Sequence, residues 1–152
     1  MKNLSLNPLV LFIVALLVIG TASCCTKKLC IGADNMDQIA FNNFANSDLD
    51  TIVIQRFNKG ANAINPVDSV TVVTSNFSPG TYQLILLPTR LTIEQNYVVK
   101  LISTGERYAI SNFVITKQEC NTGFMCNDSY NSLESYTLNG NVMRTYQLAI
   151  SK

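Results

Sequence analysis

Beyond residue 36, apolar and polar positions alternate in short runs that are separated by clusters of turn-forming residues. Tyr97, Val99 and Leu101 fall on one face of such a run, and Lys100 falls on the opposite face. An alternation with a period of two is typical of a β-strand that is buried on one side. No stretch combines helix caps with the 3.6-residue periodicity that predicts an α-helix.

The runs predict an all-β domain. We expect strands at 38–43, 51–57, 69–75, 81–87, 96–102, 108–116, 133–138 and 142–150. Seven to eight short strands at this spacing favour an antiparallel sandwich of two sheets, Ig-like or similar. A small β-barrel is the alternative.

A hairpin is predicted around Gly140. A two-residue turn and a three-residue loop, 139–141, are both compatible with the sequence there. The three-residue loop pairs Leu138 with Val142 and places the apolar side chains of both strands on one face. We therefore expect this loop, with a bulge and with Gly140 or Asn141 in the left-handed conformation. The shared apolar face would consist of Tyr136, Leu138, Val142 and Tyr146.

Composition narrows the functional classes. The chain has 152 residues, with 11 basic side chains, 10 acidic side chains and no histidine. The balanced charge and the lack of a basic stripe argue against nucleic-acid binding. The lack of histidine removes the usual general base near neutral pH, Ser-His and Cys-His nucleophile pairs, and the common imidazole metal ligand. We therefore expect a non-enzymatic protein without a cofactor or a bound metal.

Acidic residues offer two further kinds of site. The polar clusters 34–37 and 46–50 contain carboxylates and amides, which are ligand types for Ca²⁺. They flank a predicted strand about 20 Å long, so we interpret them as turn residues and not as one shared site. No spacing of the other acidic residues selects the carboxylate pair that a glycosidase needs. The sequence also lacks GxSxG, SxxK and glycine-rich phosphate-binding motifs.

Residues 1–23 have the layout of a secretory signal peptide. Lys2 precedes an apolar run at 9–20, and small residues follow that run. The run is shorter than the roughly 20 apolar residues of a membrane-spanning helix. The lysine pair at 27–28 opposes retention of the leader as an uncleaved anchor, because positive charge favours the cytoplasmic side. We expect cleavage before Cys24, which leaves about 129 residues.

The segment Thr21-Ala22-Ser23-Cys24 resembles the lipobox of bacterial lipoprotein precursors. In that family, small residues precede a cysteine that is acylated and becomes the new N-terminus. Thr21 departs from the pattern, which usually has a leucine-like residue there. The resemblance implies that acyl chains on Cys24 hold the protein to a lipid bilayer. A plain secretory cut, with Cys24 free or in a disulfide, is the alternative.

The same resemblance bears on localisation. No aspartate follows Cys24, so the inner-membrane retention signal of lipoproteins is missing and the outer membrane is favoured. The side of the membrane that the domain faces is left open. We expect a short tether at 24–36 and the β-sandwich at 37–152.

The other cysteines are candidates for disulfides, because an exported chain meets an oxidising compartment. They are Cys25, Cys30, Cys120 and Cys126. Local spacing favours a loop closed by Cys120 and Cys126, and a bond from Cys30 to either of them is the alternative. Phe124 and Met125 lie at the predicted tip of this loop and form a candidate contact site for a partner. Alternatively, they fold back under the loop.

We expect an envelope lipoprotein whose sandwich binds a protein partner or supports an assembly. A carbohydrate-binding module on the same scaffold is the alternative. Exposed aromatic side chains across a sheet face or a loop end would favour the glycan, whereas their absence, together with an exposed sheet edge, would favour the protein.

Overall fold

The computed structural model describes residues 32–60, 65–123 and 126–152, without the side chains of 121–127. Residues 32–118 and 130–152 belong to one compact unit, and 119–129 belong to a second. Within the described residues, no helix has both the length and the apolar character needed to cross a membrane. The strands are β1 (Met36–Asn42), β2 (Thr51–Asn58), β3 (Asp68–Val73), β4 (Tyr82–Leu91), β5 (Gln95–Leu101), β6 (Arg107–Gly123), β7 (Cys126–Leu138), β8 (Asn141–Arg144) and β9 (Ala149–Ser151).

The nine strands in the described part of the chain form two open sheets that pack together. The larger sheet has the order β3-β2-β5-β6-β7-β8, and the smaller sheet has the order β4-β1-β9. In the smaller sheet, β1 pairs antiparallel with β4 and parallel with β9. The prediction of an all-β, two-sheet sandwich is confirmed, with one strand more than expected.

Alternating side chains of both sheets fill the core. Ile39 and Phe41 of β1 are at most 1% exposed, and so are Tyr97 and Leu101 of β5. The hydroxyl of Tyr97 accepts a hydrogen bond from the Thr92 N–H at 2.7 Å and donates one to the Thr92 carbonyl at 3.0 Å, which satisfies this buried polar group. The face predicted for this strand is confirmed.

The predicted three-residue loop of the last hairpin is wrong. Leu138 pairs with Asn141, so the turn contains two residues. Asn139 and Gly140 have φ values of +48° and +87°, the left-handed pair that favours this turn. Asn139 also exchanges two bonds with Ala109 of β6, since its N–H donates to the Ala109 carbonyl at 2.9 Å and its Oδ1 accepts from the Ala109 N–H at 2.7 Å. The left-handed conformation predicted for Gly140 is confirmed, and Asn141, the alternative position, does not adopt it.

The predicted strand at 142–150 is two strands in different sheets. β8 pairs with β7 in the larger sheet, whereas β9 pairs with β1 in the smaller one. The change of sheet after Arg144 breaks the period-two alternation, so the predicted shared face is also wrong. Val142 and Tyr146 are 66% and 86% exposed, and Leu148 is buried.

Residues 32–36 of the predicted tether lie in the larger compact unit. A short 3₁₀-helix, Ala33–Asn35, leads directly into β1. Ala33 is 2% exposed and belongs to the hydrophobic core. The folded unit therefore includes the last residues of the predicted tether.

Candidate functional site

A groove of about 370 Å³ lies beside the first residues of β1. Three tyrosines line it: Tyr82 from β4, Tyr130 from β7 and Tyr146 from the connection between β8 and β9. We call it the tyrosine groove. Its polar lining residues are Asn35, Asp37, Gln38, Ser132 and Gln147. The volume, the aromatic walls and the few polar groups are those of small-molecule binding sites.

Strand alternation places Tyr82 on the outer face of the smaller sheet. Its neighbour Gln83 is 3% exposed and points inwards, so the period of two turns Tyr82 outwards. The Gln83 side chain accepts a hydrogen bond from the Ser78 N–H and donates to the carbonyls of Ser78 and Gly80, at distances of 2.7 to 3.0 Å. These bonds fix the turn that precedes Tyr82 and therefore its position at the start of β4.

A side-chain contact crosses the outer face of the smaller sheet. The Gln147 Nε2 lies 3.4 Å from the Tyr82 hydroxyl oxygen. Tyr82 is on β4 and Gln147 lies two residues before the start of β9, so the contact spans the central strand β1. Beneath it, Ala40 is only 1% exposed although its side chain points to the outer face. Tyr82 is 49% exposed, so it covers part of the sheet and still presents part of its surface to solvent.

Tyr146 lies next to a segment that packing and hydrogen bonds hold in place. With 86% exposure, it is the most exposed of the large hydrophobic side chains in the described residues. Leu148, two residues later, is 1% exposed. The Tyr136 hydroxyl of β7 donates to the Ala149 carbonyl at 2.6 Å and accepts from the Ala149 N–H at 2.8 Å. Tyr146 is therefore exposed next to a segment that β7 holds in place.

Close packing of two backbone segments positions Tyr130. A Cβ atom on Gly32 would lie 2.4 Å from the Asn131 carbonyl oxygen and 3.0 Å from Cδ2 of Tyr130. Only glycine allows this approach, since real Cβ atoms do not come so close to a backbone oxygen. The Asn131 side chain also donates to the Asp34 carboxylate at 2.7 Å. These contacts hold the segment before β1 against β7 and shape one wall of the groove.

The groove carries little charge. Asp37 is the only ionisable acid or base other than tyrosine in its described lining. Arg90 lies nearby, with its Nη1 3.5 Å from Oδ1 of Asn35. Hydroxyl and amide groups supply the remaining polar atoms. This lining suits a neutral ligand with many hydroxyl groups better than it suits a phosphate or another anion.

None of the sequence-predicted site residues is among the described residues that line the groove, and most are outside the described residues. Cys24, Cys25, Cys30, Phe124 and Met125 are outside those residues, and so is the side chain of Cys126. Cys120 is disulfide-bonded. Since no other cysteine side chain is among those described, the pairing stays a prediction.

The two acidic clusters lie at opposite ends of β1, as predicted. Asp37 is the second residue of β1, whereas Asp48 follows the strand and accepts a hydrogen bond from the Lys152 Nζ at 2.9 Å. This hydrogen bond lowers the pKa of Asp48 below its ordinary value and raises the pKa of Lys152. Among the described residues, no group of three or more acidic, histidine or cysteine side chains could hold a metal ion.

Sequence reasoning missed the tyrosine groove. Tyr146 was expected on a buried face, and Tyr82 and Tyr130 carried no signal that separated them from core aromatics. On β4, the exposed Leu84 lies on the same face as Tyr82. These side chains have the apolar pattern of a buried strand face, but the face is the outer one. The three tyrosines come from distant parts of the chain, and only the tertiary structure brings them together.

Comparison of the chain with protein-family models, with curated proteins and with solved structures gives no significant match.

Proposed function

We propose that the chain is an exported lipoprotein whose β-sandwich is a non-catalytic carbohydrate-binding module. The exposed tyrosines of the groove carry the proposal. They meet the condition that favours a glycan over a protein partner, namely aromatic side chains exposed at a sheet face and at a loop.

The chemistry of the groove supports a sugar ligand. A pyranose ring has an apolar face of C–H groups and an edge of hydroxyl groups. Tyrosine rings offer a flat apolar surface for the face, and they lose little conformational entropy when they bind. The side chains of Asp37 and Gln147 supply acceptors and donors for the hydroxyl groups.

The same lining argues for binding without hydrolysis. A glycosidase of the usual kind places two carboxyl groups on either side of the scissile bond. The described lining of the tyrosine groove provides a single one, on Asp37. The proposed activity is therefore retention of a glycan at the site and not its cleavage.

A Tyr146→Ala variant tests the proposal. Calorimetric titration of the full chain with cellotriose and with N,N′,N″-triacetylchitotriose, which we call chitotriose, should show binding of at least one trisaccharide. Loss of an aromatic ring on which a nucleic-acid base stacks costs about 1–3 kcal/mol, and a comparable loss for a sugar ring means that Tyr146→Ala should weaken that binding at least about fivefold. Val142→Ala is the matched control, because Val142 is also exposed but does not line the groove. No binding by the wild-type chain, or equal binding by Tyr146→Ala, would contradict the proposal.

A protein partner is the second candidate function. Leu84 and Leu86 are 44% and 66% exposed on β4, an edge strand, and Val73 on the edge strand β3 is 75% exposed. Apolar side chains along a free edge are typical of protein-binding surfaces. If this edge is the functional surface, Leu86→Lys should abolish capture of a specific envelope protein while Tyr146→Ala leaves that capture unchanged.

Membrane attachment through Cys24 has its own test. A Cys24→Ala variant should move from the membrane fraction to the soluble fraction of lysed cells, because the acyl chains supply most of the membrane affinity. A serine at the neighbouring Cys25 is the control and should stay with the membrane. Membrane-bound Cys24→Ala would refute the lipid anchor without touching the proposal for the groove.

A further inference from the structure

The central strand β1 is longer than its parallel neighbour. β1 has seven residues, and β9 pairs only with the last three, Ala40–Asn42. On its other side, β1 pairs with β4 at Met36 and again from Gln38 to Asn42, with a register shift between Met36 and Gln38. Among the described residues, the first half of β1 therefore has a neighbouring strand on one side only.

Two hydrogen bonds show how the peptide groups of β1 are directed. The Ala40 N–H donates to the Leu148 carbonyl at 2.9 Å, and the Lys152 N–H donates to the Asn42 carbonyl at 3.1 Å. Ala40 and Asn42 therefore direct their N–H and C=O groups towards β9. The next residue, Asn43, donates its N–H to the Thr81 carbonyl on the β4 side at 2.8 Å, which agrees with this alternation.

The same alternation applies to Gln38. Its N–H and C=O groups point to the β9 side, beyond Leu148, where the ladder of backbone bonds ends in the described part of the chain. Gln38 is half-buried and lines the tyrosine groove. Backbone groups in such a place need a partner from water or from a ligand. Within the described part of the chain, the backbone of Gln38 therefore has no strand partner on the side that faces the groove.

The groups around Gln38 fit an amide with a methyl group. An acetamido N–H on a sugar can donate to the Gln38 carbonyl, and the adjacent ring hydroxyl can accept from the Gln38 N–H. The acetyl methyl group can pack on the apolar part of the lining, to which Met36, Leu84 and Leu148 contribute. A hydroxyl group in place of the acetamido group would leave that apolar contact unmade.

We infer that the tyrosine groove selects N-acetylated hexosamines, and that the backbone of Gln38 recognises their acetamido group. This inference rests on the proposed function, since it names the class of sugar bound at the same site. The register shift between Met36 and Gln38 interrupts the open edge, and strand addition by a peptide uses several successive main-chain bonds. A sugar therefore fits the tyrosine groove better than an extended peptide does.

Chitotriose and cellotriose form a matched pair of probes, because they differ only in the acetamido or hydroxyl group on C2. Calorimetric titration of the full chain should give at least tenfold tighter binding of chitotriose. Equal affinities would overturn the inference and leave carbohydrate binding intact. If neither trisaccharide binds, both the inference and the proposed function fail. If N-acetyl-trialanine amide, which has no sugar ring, binds as tightly as chitotriose, the groove is a peptide site and the inference is wrong.

Two variants separate the backbone of Gln38 from its side chain. Gln38→Ala keeps the N–H and C=O groups and should keep the preference for chitotriose. Gln38→Pro removes the N–H on the side away from β4, so it spares the ladder with β4 and should bring the two affinities within about threefold. Circular dichroism establishes whether Gln38→Pro is folded. If it is not, the ratio of the chitotriose and cellotriose affinities, measured on the wild-type chain and on Gln38→Ala, decides whether the inference holds. Loss of the preference in Gln38→Ala would contradict recognition by the backbone.

Discussion

Replacement of Tyr136 by phenylalanine should loosen β9 and destabilise the whole sandwich. The Tyr136 side chain is 1% exposed, and its hydroxyl makes two hydrogen bonds to Ala149, at 2.6 and 2.8 Å. The N–H and C=O of Ala149 point away from β1, because the even-numbered neighbours of Ala149 bond to β1. The hydroxyl therefore occupies the place of a further strand at the edge of the smaller sheet.

The expected magnitude follows from these two bonds. Phenylalanine nearly conserves the volume, so the cavity cost is small. Each lost hydrogen bond costs about 1 kcal/mol net, and Ala149 is partly exposed, so that water can replace part of the loss. Tyr136→Phe should therefore lower the free energy of unfolding by about 2 kcal/mol. For a small domain this is a fall of about 1 M in the urea midpoint.

Urea unfolding followed by circular dichroism measures this change. Tyr146→Phe is the matched control, because its hydroxyl is in solvent and its removal should change the free energy by less than about 0.5 kcal/mol. Hydrogen exchange should be faster at the amides of Ala149 and Ile150 in Tyr136→Phe. A midpoint within about 0.3 M of the wild type would show that the two bonds do not hold β9 in place.

Two other substitutions test separate parts of the unit. Gly32→Ala should cost about 1–3 kcal/mol in a thermal or urea melt and should weaken trisaccharide binding, because the new Cβ would displace the segment from Asn131. Asp48→Asn should destabilise the chain at pH 7, and this difference should vanish near pH 2. The Lys152 hydrogen bond lowers the pKa of Asp48, so the stabilisation is present above the ordinary carboxyl pKa and is lost as the pH falls through the lowered one. An equal difference in melting temperature at both pH values would contradict this.

Local patterns predicted most of the sandwich. All eight predicted strands overlap observed strands, because alternation of apolar and polar residues depends only on the chain near each strand. Tyr97 and Leu101 are buried for that reason. The predicted strand bounds were less accurate for two strands. The observed β6 extends beyond residue 116, and the observed β7 starts before residue 133. Those extensions carry polar residues and have no alternating apolar face to reveal them.

The pattern could not show which sheet each strand joins. Strands β1 and β9 are more than 100 residues apart, and their parallel pairing leaves no local trace. The predicted strand at 142–150 looked continuous because Val142, Leu148 and Ile150 are all apolar and an even number of residues apart. The assumption that all three face one core also led to the wrong hairpin register. An exposed Val142 on an edge strand costs little, so the hydrogen bonds of Asn139 determine the turn.

The outer edge of β9 and the edge of β1 beside Gln38 differ in what covers them, and this difference is relevant to ligand binding. A free strand edge invites pairing with another chain, and natural proteins usually block it. At Ala149 the Tyr136 hydroxyl blocks the outer edge of β9, whereas at Gln38 no strand of the described chain covers the side of β1 that faces away from β4. Three tyrosine rings line the groove beside Gln38, and the register shift between Met36 and Gln38 interrupts the regular edge that a joining strand would need. An edge that is open to a small ligand and closed to a strand is what a binding site built on a sheet requires.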